Sequence, residues 1–187
     1  MGKQLEGFAG DINGGMRYEQ FKMDTAVSDA ILLESERARG MNAVVSSLVN
    51  INMPAQLLAR AQLTHVLRNL IANGLKAMQQ TQSLNRLIVV NSMVESDPPT
   101  PTHPNGRHWL QLTVEDRGCG IPEDKLPTLF DQAQVRSDSG RGLGLWLCRR
   151  WIERMGGQLT VRYTSQARPA GTVMLIVLPY QLEPTHA

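Results

Sequence analysis

Apolar positions recur along this chain with two different periods, and the switches between them outline its elements. From the N-cap pair Asp24–Thr25 a helical repeat runs through Val27, Ala30, Ile31 and Leu32 and stops at Gly40. Ala43–Asn50 (AVVSSLVN) reads as a short strand. A long helix follows from Ala55 or Leu58 to Met78. Its residues Leu63, Val66, Leu67, Leu70, Ile71 and Met78 fall on one stripe at about 100° per residue. Leu87–Val94 and His108–Glu115 read as strands, separated by ESDPPTPTHPNG, whose four prolines make it a loop. A short helix near Glu123–Phe130, a polar stretch, and a further long helix over Gly142–Met155 come next. The strands Gln158–Tyr163 and Thr172–Leu178 close the chain. This order predicts an α+β two-layer sandwich, a mixed and mainly antiparallel sheet packed on three helices.

Composition narrows the class. At 187 residues, with 42% hydrophobic and 19% charged, the chain holds enough apolar material for one core and too little charge for disorder. A net charge of +2 supplies no broad cationic footprint, so no nucleic-acid partner is expected. Cys119 and Cys148 form neither a disulfide framework nor a metal-ligand spacing. No apolar run approaches the roughly 20 residues of a membrane span, and the start has no apolar signal core. The segment is therefore expected to be cytoplasmic and without direct membrane contact, even within a membrane-anchored parent.

Three clusters carry candidate chemistry. Asn69, Asn73 and Lys76 lie at i, i+4 and i+7, so two amides and an ammonium line one edge of the long helix. Amide oxygens suit Mg²⁺, which keeps waters and shares phosphate oxygens; an ordinary solvated helix face carries the same residue types. Residues 116–121 (DRGCGI) follow a strand directly. Gly118 and Gly120 permit a tight turn close to a ligand, and Asp116 is placed to accept a hydrogen bond from an exocyclic amine. The alternative is an aspartate capping a helix that begins near Pro122. Residues 140–145 (GRGLGL) open the helix WLCRRWIERM, whose N-terminal N–H groups and dipole form an anion site. In that helix Leu145, Cys148, Trp151, Ile152 and Met155 share one face and Arg149, Arg150, Glu153 and Arg154 the other. The cluster lacks the Gly-Lys-Ser/Thr of a Walker loop. Between the clusters, Asp131–Ser139 reads either as a lid with Arg136 as a charge partner for phosphate or as an ordinary surface loop.

Together these segments resemble the Bergerat-fold ATP-binding (GHKL) superfamily, which includes gyrase, MutL, heat-shock chaperones and histidine kinases. LTHVLRNLIANGLKA looks like its N-box, DRGCGI its first glycine box, LPTLF its F-box and GRGLGL its second glycine box, in an arrangement covering roughly residues 20–180. The hydrolases and serine kinases of this group carry a Glu as general base four residues before the metal-binding Asn. Here that place is Asn69, as in two-component sensor histidine kinases. The resemblance implies ATP and Mg²⁺ as cofactors, with Asn73 as the metal ligand and Asn69, Lys76 and Arg136 as the catalytic candidates. It implies that Asp116 reads the adenine amine, that Gly118 and Gly120 shape the base pocket, and that Ile121 and Phe130 also belong to the cofactor-binding residues. Gly140, Arg141, Gly142, Leu143, Gly144 and Leu145 would pass close to the phosphates.

It further implies a domain plan. Residues 1–20 would be a remnant of the dimerisation helix and its linker, 21–182 the ATP-binding catalytic domain, and 183–187 a tail. The implied activity is that of a protein-histidine kinase whose phosphoacceptor lies on the parent's dimerisation domain, with a response-regulator receiver domain downstream. None of His65, His103, His108 and His186 fits the acceptor position. Three departures stand out: Ala133 where the F-box has a second Phe, a short lid without a Thr-Lys pair, and Gly74 where Ala is commoner. The first two motivate the alternative of a catalytically silent nucleotide-sensing module. An ATP-hydrolysing clamp or anti-sigma-type serine kinase is the other, and Asn69 argues against it.

Overall fold

The computed structural model describes residues 15–81, 86–98, 107–131, 143–167 and 169–181, without the side chain of Leu143. In chain order the elements are β1 (Glu19–Phe21), α1 (Met23–Gly40), β2 (Val44–Leu48), β3 (Gln56–Leu58), α2 (Arg60–Gln79), β4 (Leu87–Ser96), β5 (His108–Asp116), a 3-10 helix (Glu123–Thr128), α3 (Leu143–Arg154), β6 (Gln158–Ser165) and β7 (Gly171–Tyr180). Five strands form one sheet in the order β2-β4-β5-β7-β6. β2 runs parallel to β4 and the other neighbours are antiparallel. The expected mixed, mainly antiparallel sheet on three helices is what forms.

Alternation along the central strands decides which face carries the helices. Leu110, Leu112 and Val114 of β5 stand beside Leu178, Ile176 and Met174 of β7, all turned inward and almost wholly buried. The α2 stripe from Leu63 to Met78 covers them, each of its apolar residues no more than 3% exposed. Cys148, Trp151, Ile152 and Met155 of α3 complete that layer, as the split of that helix into two faces predicts. Burial pushes the Cys148 thiol up to about 12, so it behaves as a small core hydrophobe. No helix among the described residues is long and apolar enough to cross a membrane.

Two details differ from the pattern read along the chain. In α1 the buried stripe is Met23, Ala26, Val27, Ala30, Glu34 and Ala38, whereas Leu32 is 71% exposed. Small residues let α1 lie close against α2, and buried Glu34 takes the Arg68 guanidinium of that helix at 3.0 Å. The other difference is a separate two-stranded sheet made by β1 and β3, whose three-residue strands are too short for a periodic signal. The long helix consequently starts at Arg60 rather than at Ala55 or Leu58. Gln56, 1% exposed, ties this small sheet to the end of β7. Its Nε2 donates to the Gln181 carbonyl at 2.9 Å, and its Oε1 accepts the Gln181 N–H at 2.8 Å.

Candidate active site

The site is built along α2, against which the Gly118 turn and the first turn of α3 are pressed. Asn73 is exposed, and its Nδ2 donates to Asn69 Oδ1 at 3.0 Å. That bond orients the Asn73 amide and leaves its Oδ1 without a partner among the described residues. Lys76, half-buried, stands one turn further along the same edge. Among the described residues no group of three or more His, Cys, Asp and Glu could hold a metal ion. A cation on this edge would therefore take amide, water and phosphate oxygens, a donor set that fits Mg²⁺.

Asp116 closes β5 and is 9% exposed. Its Oδ1 accepts the Gly118 N–H at 2.8 Å. Burial raises its pKa from 3.8 to about 6, against the lowering pull of the Gly118 and Thr172 backbone N–H groups, and the Glu115 charge adds to the rise. The capping alternative fails here: the 3-10 helix starts after Pro122 with no side-chain cap. The carboxylate instead sits where α2, β5 and β7 meet.

Close approach explains the glycines. A Cβ at Gly118 would lie 2.5 Å from the Ala77 Cβ, so that turn rides directly over α2. A Cβ at Gly144 would lie 2.5 Å from Asn69 Nδ2, which puts the first turn of α3 against the Asn69 amide. The first turn of α3 is thus packed directly beside the Asn69 amide of α2. Gly120 has φ +73°, and a Cβ there would meet the Ser165 carbonyl oxygen at 2.2 Å. Gly120→Ala is accordingly expected to cost about 2–4 kcal/mol of stability, from positive-φ strain and displaced backbone together. Urea unfolding measures it, and a neutral result would contradict this geometry.

Of the remaining sequence-derived candidates, Ile121 donates its N–H to Thr164 Oγ1 at 2.8 Å, fastening the turn to β6. Phe130 packs partly on the core, and the Arg149 guanidinium lies 5.4 Å from its ring centroid. Leu145 is half-buried on the same core. Arg136, Gly140, Arg141 and Gly142 lie outside the described residues, as does the side chain of Leu143, although its backbone starts α3.

Reading the sequence missed Thr172 and Thr164. Thr172, 5% exposed, stands opposite Asp116 in the β5–β7 register, and its backbone N–H pulls the pKa of the carboxyl down. Thr164 Oγ1 lies 3.3 Å from Thr172 Oγ1. Their place depends on strand register and turn contacts across more than forty residues, for which no local pattern exists.

Comparison with known proteins identifies the family and the fold. The family model described as "Histidine kinase-, DNA gyrase B-, and HSP90-like ATPase" matches residues 59–182. Histidine kinase 5 of Arabidopsis thaliana is 34% identical over 137 residues, 65% of this chain and 14% of that protein. Sensor protein FixL of Bradyrhizobium diazoefficiens is 30% identical over 133 residues, 71% of this chain and 24% of that protein. The chain thus spans no more than about a quarter of either relative. Among solved structures, the mycobacterial sensor histidine kinase MprB superposes with a TM-score of 0.66 at 25% identity, covering 89% of this chain and all of that one. A catalytic domain of histidine kinase ThkA gives 0.68 at 22% identity, covering 88% and 99% of the two chains. With the family model spanning well over half of the residues, this chain belongs to the histidine kinase-, DNA gyrase B- and HSP90-like ATPase family and has the Bergerat fold seen in histidine-kinase catalytic domains.

Proposed function

We propose that this domain binds Mg-ATP and donates the γ-phosphoryl group to a histidine on a separate dimerisation domain, from which a response-regulator receiver domain takes it. The observation that carries this reading is the chemistry of α2. Arg60–Gln79 contains no Asp or Glu, and the residue beside the α3 N-terminus, where the superfamily's hydrolases have a general base, is Asn69. An amide accepts hydrogen bonds but no proton near neutral pH, so water at this place gains no base. A histidine acceptor brings its own nucleophilic nitrogen. What this chain then supplies is positioning and charge neutralisation. In this reading Asn73 holds the cation, Lys76 and the α3 N-terminus hold phosphate oxygens, and Asp116 accepts from the adenine amine. Bound Mg²⁺ would supply the positive charge that screens the β- and γ-phosphates.

The domain mixed with Mg-ATP and its cognate dimerisation domain is expected to form acid-labile phosphohistidine, while the isolated domain releases ADP only slowly. ATP binding with no phosphohistidine would favour the silent nucleotide-sensing module that Ala133 motivates. Rapid hydrolysis by the isolated domain would favour the clamp class instead.

A further inference from the structure

Trp109 and Gln111 alternate along β5 with the buried Leu110 and Leu112, so they stand on the sheet face turned away from the helices. With Glu95 of β4 and the Gly156–Gly157 turn between α3 and β6, they line a cavity of about 330 Å³, the size of a small-ligand site. The polar groups gathered there are mainly acceptors. Glu95 stands opposite Trp109 in the β4–β5 register, which sets their Cβ atoms about 4.5–5.5 Å apart. Among the described residues no ion pair engages its carboxylate. Trp109 donates its one N–H to Asp97 Oδ2 at 2.7 Å, which pins the ring and leaves its π-system as what it offers a guest. Gln111 Oε1 is buried with no partner among the described residues. The N–H groups of Gly156 and Gly157 are spent on the Glu153 and Ile152 carbonyls at 3.0 and 2.9 Å, so the turn adds no free donor. It also sets the negative end of the α3 dipole at the rim. Neither neighbouring arginine lines this cavity: Arg154 borders a separate groove beside Trp146 and Trp151, and Arg107 gives its carbonyl to the Asp97 N–H.

We propose that this cavity is a second binding site, for a guanidinium group, with Glu95 as its counter-charge and Trp109 as its stacking wall. A cation over an indole ring within about 6 Å is the favoured cation–π pair. A planar guanidinium meets both walls at once, lying flat on the ring while its N–H edge bonds the carboxylate, which a compact ammonium cannot do. Gln111 turns its terminal amide about a soft torsion and accepts a further N–H. The guanidinium belongs either to an arginine of a partner protein or to a free small guanidine; the chemistry that holds it is the same. The site lies across the sheet from Asn73 and is independent of the nucleotide reading.

The test follows the Trp109 indole N–H resonance of the full ¹⁵N-labelled chain, identified by its loss in Trp109→Phe. The probes are agmatine, the blocked peptide acetyl-Gly-Arg-Gly-amide, and the same peptide with neutral citrulline in place of arginine. A saturable shift is expected with agmatine or the arginine peptide, and binding about tenfold weaker with citrulline, which keeps the shape and loses the charge. Glu95→Gln, at an exposed position, should fold normally, keep its Mg-ATP affinity and bind the cations about three- to fivefold more weakly. Tighter binding of the peptide than of agmatine would assign the site to a partner's arginine, and the reverse to a free guanidine. Equal affinity for the citrulline peptide, unchanged affinity in Glu95→Gln, or no saturable shift with either cation at millimolar concentration each overturns the proposal.

Discussion

Asp116→Asn is expected to weaken Mg-ATP binding about 10- to 100-fold while making the ligand-free domain more stable at pH 7.5. The loss follows from exchanging a charged acceptor for an amide, since hydrogen bonds to charged groups contribute about 1.5–3 kcal/mol. The gain follows from the environment of the carboxylate. Its pKa is about 6 in the fold against 3.8 for the ordinary group, so the folded state holds the proton more tightly than the unfolded one. Stability therefore rises as pH falls through 6, the gain is complete below about 4, and at neutral pH the buried charge costs about 3 kcal/mol. Asparagine keeps an acceptor for Gly118 N–H and removes the charge. A net gain of about 1–2 kcal/mol, roughly 2–8 °C in Tm, is expected at pH 7.5 and should vanish near pH 4. Melting curves from pH 4 to 8 beside ATP titrations check both halves. If the variant loses stability at pH 7.5 together with affinity, Asp116 is a structural group and its burial has another purpose.

Asn73→Ala is expected to abolish the Mg²⁺-dependent part of ATP affinity and to slow phosphohistidine formation at least 100-fold, the scale on which preorganised charge stabilisation acts. Stability should change by no more than about 0.5 kcal/mol, because Asn73 is exposed and its one described bond, to Asn69, lies on the helix surface. Titrating ATP with and without Mg²⁺ separates the roles. A variant that keeps the wild-type Mg²⁺ dependence would move the cation away from Asn73. A variant that loses ATP binding in both conditions would make the amide a contact for the nucleotide itself.

These two residues also show how differently parts of the site could be read from the chain. Asn69, Asn73 and Lys76 share one helix, and a helix converts sequence spacing into direction without further information. The α2 and α3 core faces were legible for the same reason. Asp116 was legible as a residue at a strand end before a glycine turn, yet its competing use as a helix cap was equally compatible with DRGCGI. What decided against the cap was the 3-10 helix, which starts after Pro122 with no side-chain cap, while Asp116 lies buried opposite Thr172 in the β5–β7 register. Leu32 fitted the helical repeat and nonetheless faces solvent, because α1 packs through its small residues and which face packs depends on the neighbour.

Period and box residues thus establish the α+β class and the order of the longer elements, because each is a property of a few neighbouring positions, whereas α1 starts at Met23 behind Lys22 rather than at the expected cap Asp24–Thr25. Contacts between distant segments set the rest. The fit of Gly144 against Asn69, of Gly118 against Ala77 and of Gly74 against Asp116 brings together residues tens of positions apart. So does the burial that raises Asp116 to a pKa of about 6. Those distances and that desolvation exist only once α2, α3 and the sheet have packed, since no local sequence preference specifies how closely two elements approach.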